Sequence, residues 1–367
     1  MAELNDDDVV PAIRSFVRSN THIEVYEHIV RGCNGDVYFG KRKKLGDEVV
    51  LKFYWSHPHY DEAEEAVILQ NIKHDNILKI HHLEFVPPHY AYFLTPKIDG
   101  GDLQGLIEAG SISTKEALKI LSGILLGLTE LHSKHKLVHR DLKPGNILIN
   151  LADKRPIIAD LGAVKKIEDA TGHVTASKST FYYLPPEAFL HNQYYFQSDI
   201  YQVGLIMFQL LGGHFPIDEP YQWLSTKERA KLDAIRNGTD RQKQFDDFIG
   251  KRITKGTIAN TDSLPFYIDN SFKRVLNKAL HNNHKKRFKD PSQFLTDIHQ
   301  LIRSSPDYFK QPDLLTIKHE GEREFRIYKD KKDKVVLEKQ LDNKGWRKDN
   351  GHNGTIESAL SIARKNK

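Results

Sequence analysis

Apolar and polar positions alternate, or run as β-branched blocks, over Ile23–Val30, Asp36–Arg42 and Asp47–Trp55, and Gly32, Gly35 and Gly46 punctuate the turns. That pattern predicts strands joined by tight connections. Ile77–Phe85 and Tyr90–Pro96 repeat it. Between them, Asp61–Ile72 places Ala66, Leu69 and Ile72 at helical spacing. Asp7–Phe16 reads as a short amphipathic helix with Ile13, Phe16 and Val17 to one side. The first hundred or so residues therefore predict five strands and one helix behind a helical extension.

From Ser113 onward the period lengthens. Lys115–His132, Gln197–Leu211, Thr226–Ile249, Asn270–Leu280 and Pro291–Ile302 read as helices, with polar motifs in the loops between them. Glu324–Tyr328 and Lys334–Gln340 predict a hairpin turning at Lys329–Asp333, followed by Trp346 and a helix over Thr355–Ala363. The predicted organisation is an extension over 1–20, a β-rich lobe over 21–98, a helical lobe over 99–304, a linker over 305–312 and a small ββα-like appendage over 313–367. The fold class is α+β.

Composition narrows the function. With 39% hydrophobic and 28% charged residues the chain is an ordinary globular sequence. No apolar run approaches the roughly 18 residues of a membrane helix, and the acidic Met1–Asp8 start is not a signal peptide. One cysteine, Cys33, rules out an internal disulfide and a multi-cysteine metal site. A cytoplasmic location is the expectation. Of the net charge of +5, the stretch from Ser305 to Lys367 carries +4, from 15 basic and 11 acidic residues. The main body is thus near neutral, which argues against nucleic-acid binding there and leaves it open for the basic tail, where Trp346, Arg347 and Lys348 stand together.

The strongest chemical signal is His139-Arg140-Asp141-Leu142-Lys143-Pro144-Gly145-Asn146 ahead of an apolar Ile147-Leu148-Ile149. Phosphoryl transfer to a hydroxyl needs a carboxylate to orient it and take its proton, a cation on the moving phosphoryl group, and an oxygen ligand for Mg²⁺. Asp141, Lys143 and Asn146 offer the three in one loop. Fourteen residues later Asp160 ends the apolar run Ile157-Ile158-Ala159. A carboxylate there needs a partner, and a metal bridging phosphates is one. Gly32 and Gly35 sit between two strands, where backbone N–H groups can approach phosphate oxygens. Lys52 lies inside the apolar Val49-Val50-Leu51 strand and wants a buried anion, for which Glu65 on the next predicted helix is the candidate.

At this point the chain resembles the eukaryotic-type (Hanks-type) serine/threonine protein kinase family, continuously from about Ile23 to Ile302. The resemblance implies a bilobal fold with ATP between the lobes and Mg²⁺, or Mn²⁺ in its place, on Asn146 and Asp160. It gives Lys52 to the α- and β-phosphates with Glu65 as ion-pair partner, Asp141 to catalysis and Lys143 to the moving phosphate. Tyr183-Leu184-Pro185-Pro186-Glu187 stands at the Ala-Pro-Glu segment, Asp199 and Gly204 match the next helix, and Arg287 is placed to pair with Glu187. Thr95 matches the gatekeeper and Pro96–Ile98 the hinge. Pro96 has no N–H to give, but the family uses only a carbonyl there, and Ile98 N–H is the expected adenine donor. Val37, Val50 and Leu148 would sandwich the ring and Asp102 would accept from ribose. Four departures stand out: Val30 for the first loop glycine, Leu161 for Phe, Gly145 for Glu and Pro185 for Ala. Val30 implies modest ATP affinity.

Lys143-Pro144 and Thr180 look like the Ser/Thr branch, so the implied activity is transfer of the γ-phosphoryl of ATP to protein Ser or Thr hydroxyls. Arg140 and Lys165 match the cations that receive an activation-segment phosphate, and spacing from Thr180 favours Thr175 or Ser177 as its carrier, placed there by autophosphorylation. The alternatives are a pseudokinase-like signalling scaffold, which would lack one of Lys52, Asp141, Asn146 or Asp160, and a small-molecule phosphotransferase, which would lack Glu187 and Arg287. Paired histidines, His132 and His135 among them, read as surface scatter, and no structural metal is predicted.

Overall fold

Pro11 has no backbone N–H to donate and is tolerated only in the first turn of a helix. Helix α1 accordingly runs Pro11–Ser19, later than hydrophobic period alone suggests. The computed structural model describes residues 6, 8–30, 36–55, 68–87, 89–110, 112–168, 172–176, 181–320, 323–341 and 344–365, without the side chains of Val30 and Trp55.

Five antiparallel strands, β1 (Ile23–Val30), β2 (Asp36–Arg42), β3 (Glu48–Trp55), β4 (His82–Val86) and β5 (Tyr90–Pro96), form a sheet in the order β1-β2-β3-β5-β4. Alternation along β3 sends Val49, Leu51 and Phe53 to one face, where they pack with Ile13 and Val17 of α1. Val50 and Lys52 point to the other face and line a cleft. The strand expected over Ile77–Phe85 is shorter than its apolar run. Ile77 bridges instead to Ile158, and Asn76 donates its side-chain N–H to Pro156 O at 2.8 Å, so this stretch serves the helical part of the chain. Of the helix expected over Asp61–Ile72, residues 61–67 lie outside the described residues and a helical turn covers 68–71.

The second part is helical: α2 (Leu103–Glu108), α3 (Thr114–Thr129), α4 (Pro186–His191), α5 (Phe196–Leu210), α6 (Thr226–Asp233), α7 (Gly238–Lys255), α8 (Asn270–Ala279) and α9 (Pro291–Ser304). Short strand pairs β6 (Leu137–Val138) with β9 (Lys165–Lys166), β7 (Ile147–Ile149) with β8 (Pro156–Ile158), and β10 (Val174–Thr175) with β11 (Gln193–Tyr194) fix the loops between them. The central helix α5 is buried along most of its length. Among the described residues no helix is long and apolar enough to cross a membrane.

The single helix expected over Thr226–Ile249 is two. Asn237 breaks it, because its side-chain oxygen accepts from Thr239 and Asp240 N–H and starts α7 afresh. Glu228 of α6 and Arg252 of α7 then close a bidentate pair at 3.0 and 2.6 Å. Arg252, with help from Ser225, holds the Glu228 carboxyl down to about 2 against the opposing effect of burial. An unfolded glutamate titrates near 4.3, so the pair's contribution is fully present above that pH and is lost as pH falls towards 2. Glu228→Gln is expected to lower the denaturation midpoint at neutral pH, with the gap to the parent closing between about pH 4 and 2. A denaturation series across that range checks it.

Residues 305–312, expected as a linker, carry strand β12 (Asp307–Gln311). It opens a five-stranded antiparallel meander with β13 (Leu314–Lys318), β14 (Glu324–Lys329), β15 (Val335–Gln340) and β16 (Arg347–Lys348). The expected hairpin is β14–β15, and helix α10 (Ile356–Lys365) covers one face through Ala359, Leu360 and Ala363. The strand at 307–311 forms because Asp307 has a job: its carboxylate accepts from Ser113 Oγ at 3.0 Å and Lys115 N at 2.8 Å, at the start of α3. Tyr308 stacks near Tyr267 with centroids 5.5 Å apart, and Arg364 donates to Tyr308 Oη at 2.9 Å and Tyr267 O at 2.7 Å. The unit shares one hydrophobic core with the helices.

Candidate active site

The cleft between the sheet and the helices has a volume of about 250 Å³. Val37, Val50 and Leu148 line it from opposite sides, Thr95, Pro96 and Ile98 form its back edge, and Lys52, Asn146 and Asp160 stand at one end. The back edge is held by Lys97, whose N–H donates to Glu48 O at 3.1 Å and whose ammonium meets Glu48 at 2.9 Å and Tyr26 Oη at 3.1 Å. That leaves Ile98 N–H without an acceptor among the described residues. Gly100 follows because the chain passes so close to β7 that a Cβ would lie 2.2 Å from Ile149 O. Asp102 bridges to Leu148 of the cleft wall, and its carboxylate accepts Gly105 N–H at 3.1 Å and caps α2.

The loop carrying Asp141 is positioned by one buried carboxylate. Asp199, on α5 and fully buried, accepts His139 N–H at 2.8 Å, Arg140 N–H at 3.0 Å and Tyr194 Oη–H at 2.6 Å. His132 Nε2 completes the set at 2.8 Å from Asp199 Oδ2. Burial by itself would raise the Asp199 carboxyl, but His132, His139 and Tyr194 hold it below its ordinary value. These bonds offset the cost of Arg140, whose φ of 69° is left-handed and unfavourable for a side chain with a Cβ. His132, expected at the surface, is buried; the wider turn Glu130–Lys134 that continues α3 packs it against Phe196, with centroids 4.9 Å apart.

Within the loop, Lys143 Nζ lies 3.0 Å from Asp141 Oδ2, and Asn146 Nδ2 donates to Asp141 O at 2.7 Å and Oδ2 at 2.9 Å. Asn146 so spends its N–H groups on Asp141 and keeps its side-chain oxygen for another partner. Leu142 N–H donates to Gln202 Oε1 at 2.8 Å, and Tyr194 Oη shares that oxygen at 2.9 Å. Gln202 and Tyr194 were not anticipated. A glutamine among the apolar residues of α5 was the available sign, since a buried amide needs partners.

Asp160 also adopts a left-handed φ, 57°, and its carboxylate pairs with Lys52 Nζ at the end of the cleft. Glu65, the expected partner of Lys52, lies outside the described residues, as do Gly32, Gly35, Ser177 and Thr180. Arg140 donates from Nε to Ala163 O at 2.6 Å and from Nη1 to Thr175 O at 2.8 Å. Lys165 pairs through β6–β9 with Val138, directly before the loop. Farther down, Glu187 and Arg287 form a buried bidentate pair at 2.7 and 2.8 Å. Ser198 Oγ donates to Glu187 at 2.6 Å, and Arg287 reaches Gln197 O and His281 O at 2.9 and 2.7 Å. Tyr183 Oη and Gln209 are joined at 3.0–3.1 Å.

The arrangement sets a carboxylate and an ammonium side by side at the end of an apolar slot, with an amide oxygen and a second carboxylate beside them. Asn146 and Asp160 are hard oxygen donors but too few for an all-protein metal cage, which suits a cation completed by phosphate and water oxygens. Among the described residues no group of three or more His, Cys, Asp or Glu is placed to hold a metal ion.

Comparison with known proteins agrees with this architecture. The family model described as the protein kinase domain matches residues 23–301. The chain is 28% identical over 286 residues to a probable serine/threonine-protein kinase, PknB, of Lactococcus lactis, covering 75% of this chain and 41% of that protein. It is 26% identical over 291 residues to a probable serine/threonine-protein kinase of Dictyostelium discoideum, covering 75% and 31%. It is 32% identical over 197 residues to human serine/threonine-protein kinase D2, covering 51% and 22%. The chain spans less than half the length of each of these relatives.

Proposed function

Because this chain belongs to the protein kinase family, of the eukaryotic (Hanks) type, we propose that it transfers the γ-phosphoryl group of ATP to serine or threonine hydroxyls of proteins. The observation that carries the reading is the convergence of Asn146, Asp160 and Lys52 at one end of the apolar cleft, with Asp141 bonded to Asn146 and Lys143 beside it. Adenine lies between Val37, Val50 and Leu148 and accepts from Ile98 N–H. Asp141 orients the substrate hydroxyl and takes its proton as the new O–P bond forms and the bond to ADP breaks. Lys143 faces the charge on the transferred group, and Lys52 faces the other phosphates. Mg²⁺ would sit on the Asn146 side-chain oxygen and the Asp160 carboxylate, where it neutralises phosphate charge. Lys143 beside Asp141, and relatives that carry serine/threonine-kinase names, support hydroxyls of Ser and Thr over Tyr. Glu187 and Arg287, which fix the segment after Tyr183, support protein over small-molecule acceptors.

Labelled γ-phosphate from Mg·ATP, offered with the purified chain and a generic Ser/Thr protein, should appear on seryl or threonyl residues. Asp160→Ala should abolish it. Label on tyrosine alone would overturn the acceptor class, and equal label in the Asp160→Ala protein would overturn the site.

Regulation by a phosphate on the 160–187 segment belongs to the same proposal. Arg140 reaches the backbone at Thr175, which is exposed, and this supports a phosphate on Thr175, with Ser177, outside the described residues, as the other carrier proposed. Mass spectrometry after incubation with Mg·ATP should find phosphate on this segment, and the Asp141→Ala protein should carry none. The same sites filled in Asp141→Ala protein made without a host kinase would exclude autophosphorylation.

A further inference from the structure

Three cations of the C-terminal meander pair with its own acids. Lys318 faces Glu324 at 3.8 Å, Lys329 faces Asp333 at 2.8 Å, and Lys339 faces Asp349 at 3.0 Å. Lys331, Lys332 and Lys334 on the β14–β15 turn, with Arg347 and Lys348 on edge strand β16, are exposed and have no ion-pair partner among the described residues. Acids stand among them: Glu338 is the cross-strand partner of Lys348, Asp333 pairs with Lys329, and the Asp330 carboxylate accepts Lys332 N–H at 2.8 Å and Lys334 N–H at 3.0 Å. Those backbone bonds, then the charges of Lys334 and Lys348, hold the Asp330 carboxyl below its ordinary value. Lys334 of the turn and Lys348 of β16 thus act on the same carboxylate, and cations outnumber acids along this edge.

An aromatic platform adjoins that field. Trp346, immediately before β16, lies with its ring 3.8 Å from the Arg326 guanidinium. Phe325 and Ile327 are buried in the core that α10 covers, so Arg326 between them belongs to the opposite face of the sheet, beside its cross-strand partners Thr316, which is buried, and Glu338. Charge on an edge strand is by itself an ordinary guard against aggregation. A guard has no use for an indole stacked on a guanidinium beside it.

We propose that this edge and face of the C-terminal meander bind single-stranded nucleic acid without sequence preference, the five cations following the phosphates and Trp346 with Arg326 stacking a base. An acidic peptide would satisfy the cations but offers nothing planar to the indole, which is why nucleic acid is favoured. The site is independent of phosphoryl transfer, and the anchoring of Asp307 and Arg364 on the helices would hold any bound strand at a fixed position relative to the cleft.

The test uses the full chain, a fluorescein-labelled oligothymidylate of about 16 nucleotides and polyglutamate of matched charge, read by anisotropy. Oligonucleotide binding should weaken with salt, with a log–log slope of roughly −2 to −4, as three to five phosphate contacts require. Trp346→Ala should weaken it about tenfold, with polyglutamate binding unchanged. The Lys331→Glu/Lys332→Glu protein, whose exposed sites leave folding intact, should lose binding of both. Absence of oligonucleotide binding at low salt overturns the proposal. So does a Trp346→Ala protein that binds as the parent does, and so does preference for polyglutamate, which would assign the surface to an acidic protein.

Discussion

Asp141→Asn is expected to reduce phosphoryl transfer by roughly 10²–10⁴-fold while leaving nucleotide binding close to that of the parent. Asparagine retains the size of aspartate and can still receive the Asn146 amide, which sits 2.7 Å from Asp141 O and 2.9 Å from its carboxylate. What it loses is the ability to take a proton and the charge that holds Lys143 at 3.0 Å. The loop backbone should survive, because its conformation is set from behind by Asp199 through His139 and Arg140 N–H. Turnover and nucleotide titration on the same protein separate the two effects. A fall in nucleotide affinity as large as the fall in rate would mean that Asp141 acts through structure, and near-parental turnover would remove it from the chemistry.

Arg287→Met is expected to cost about 3–5 kcal/mol of stability, the penalty of stranding one member of a buried ion pair. The side chains of Arg287 and Glu187 are 0% and 6% exposed, so the remaining carboxylate would be left almost wholly out of water. Ser198 gives it one hydrogen bond at 2.6 Å, far short of replacing a guanidinium. The denaturant midpoint should fall with little change in slope. Glu187→Leu combined with Arg287→Met should be less destabilised than Arg287→Met alone, because no orphaned charge remains. Additive losses in the double variant would show that the two side chains contribute separately.

Much of this architecture was legible as pattern. Strand period in β1–β3 and β5, the helical period after Ser113 and the β14–β15 hairpin all follow from local repetition, which needs no knowledge of what lies across the molecule. The boundaries that moved did so for named reasons: Pro11 delays α1, Asn237 splits α6 from α7, and Asp307 turns an apparent linker into a strand docked on α3. The residues of the candidate site were legible differently, as chemistry. Asp141, Lys143 and Asn146 announce themselves because three functional groups fall within one short loop, and the structure brings Lys52 and Asp160 to the same end of the cleft.

The support for that loop was not legible. His132 has the sequence setting of a solvent-facing residue at the end of a helix, yet it is buried against Asp199, 67 positions away. Asp102 caps the helix that follows it, a role its spacing did not announce. Local order thus settles which segments are strands, which are helices and which loop holds the reactive groups, since those depend on neighbours along the chain. Burial, by contrast, depends on what another segment lays on top. So the network that holds the loop in its left-handed turn, the pairing of Lys52 with Asp160 and the seating of the C-terminal meander were decided only when distant segments met, where removal from water makes an unpaired charge costly and a paired one rigid.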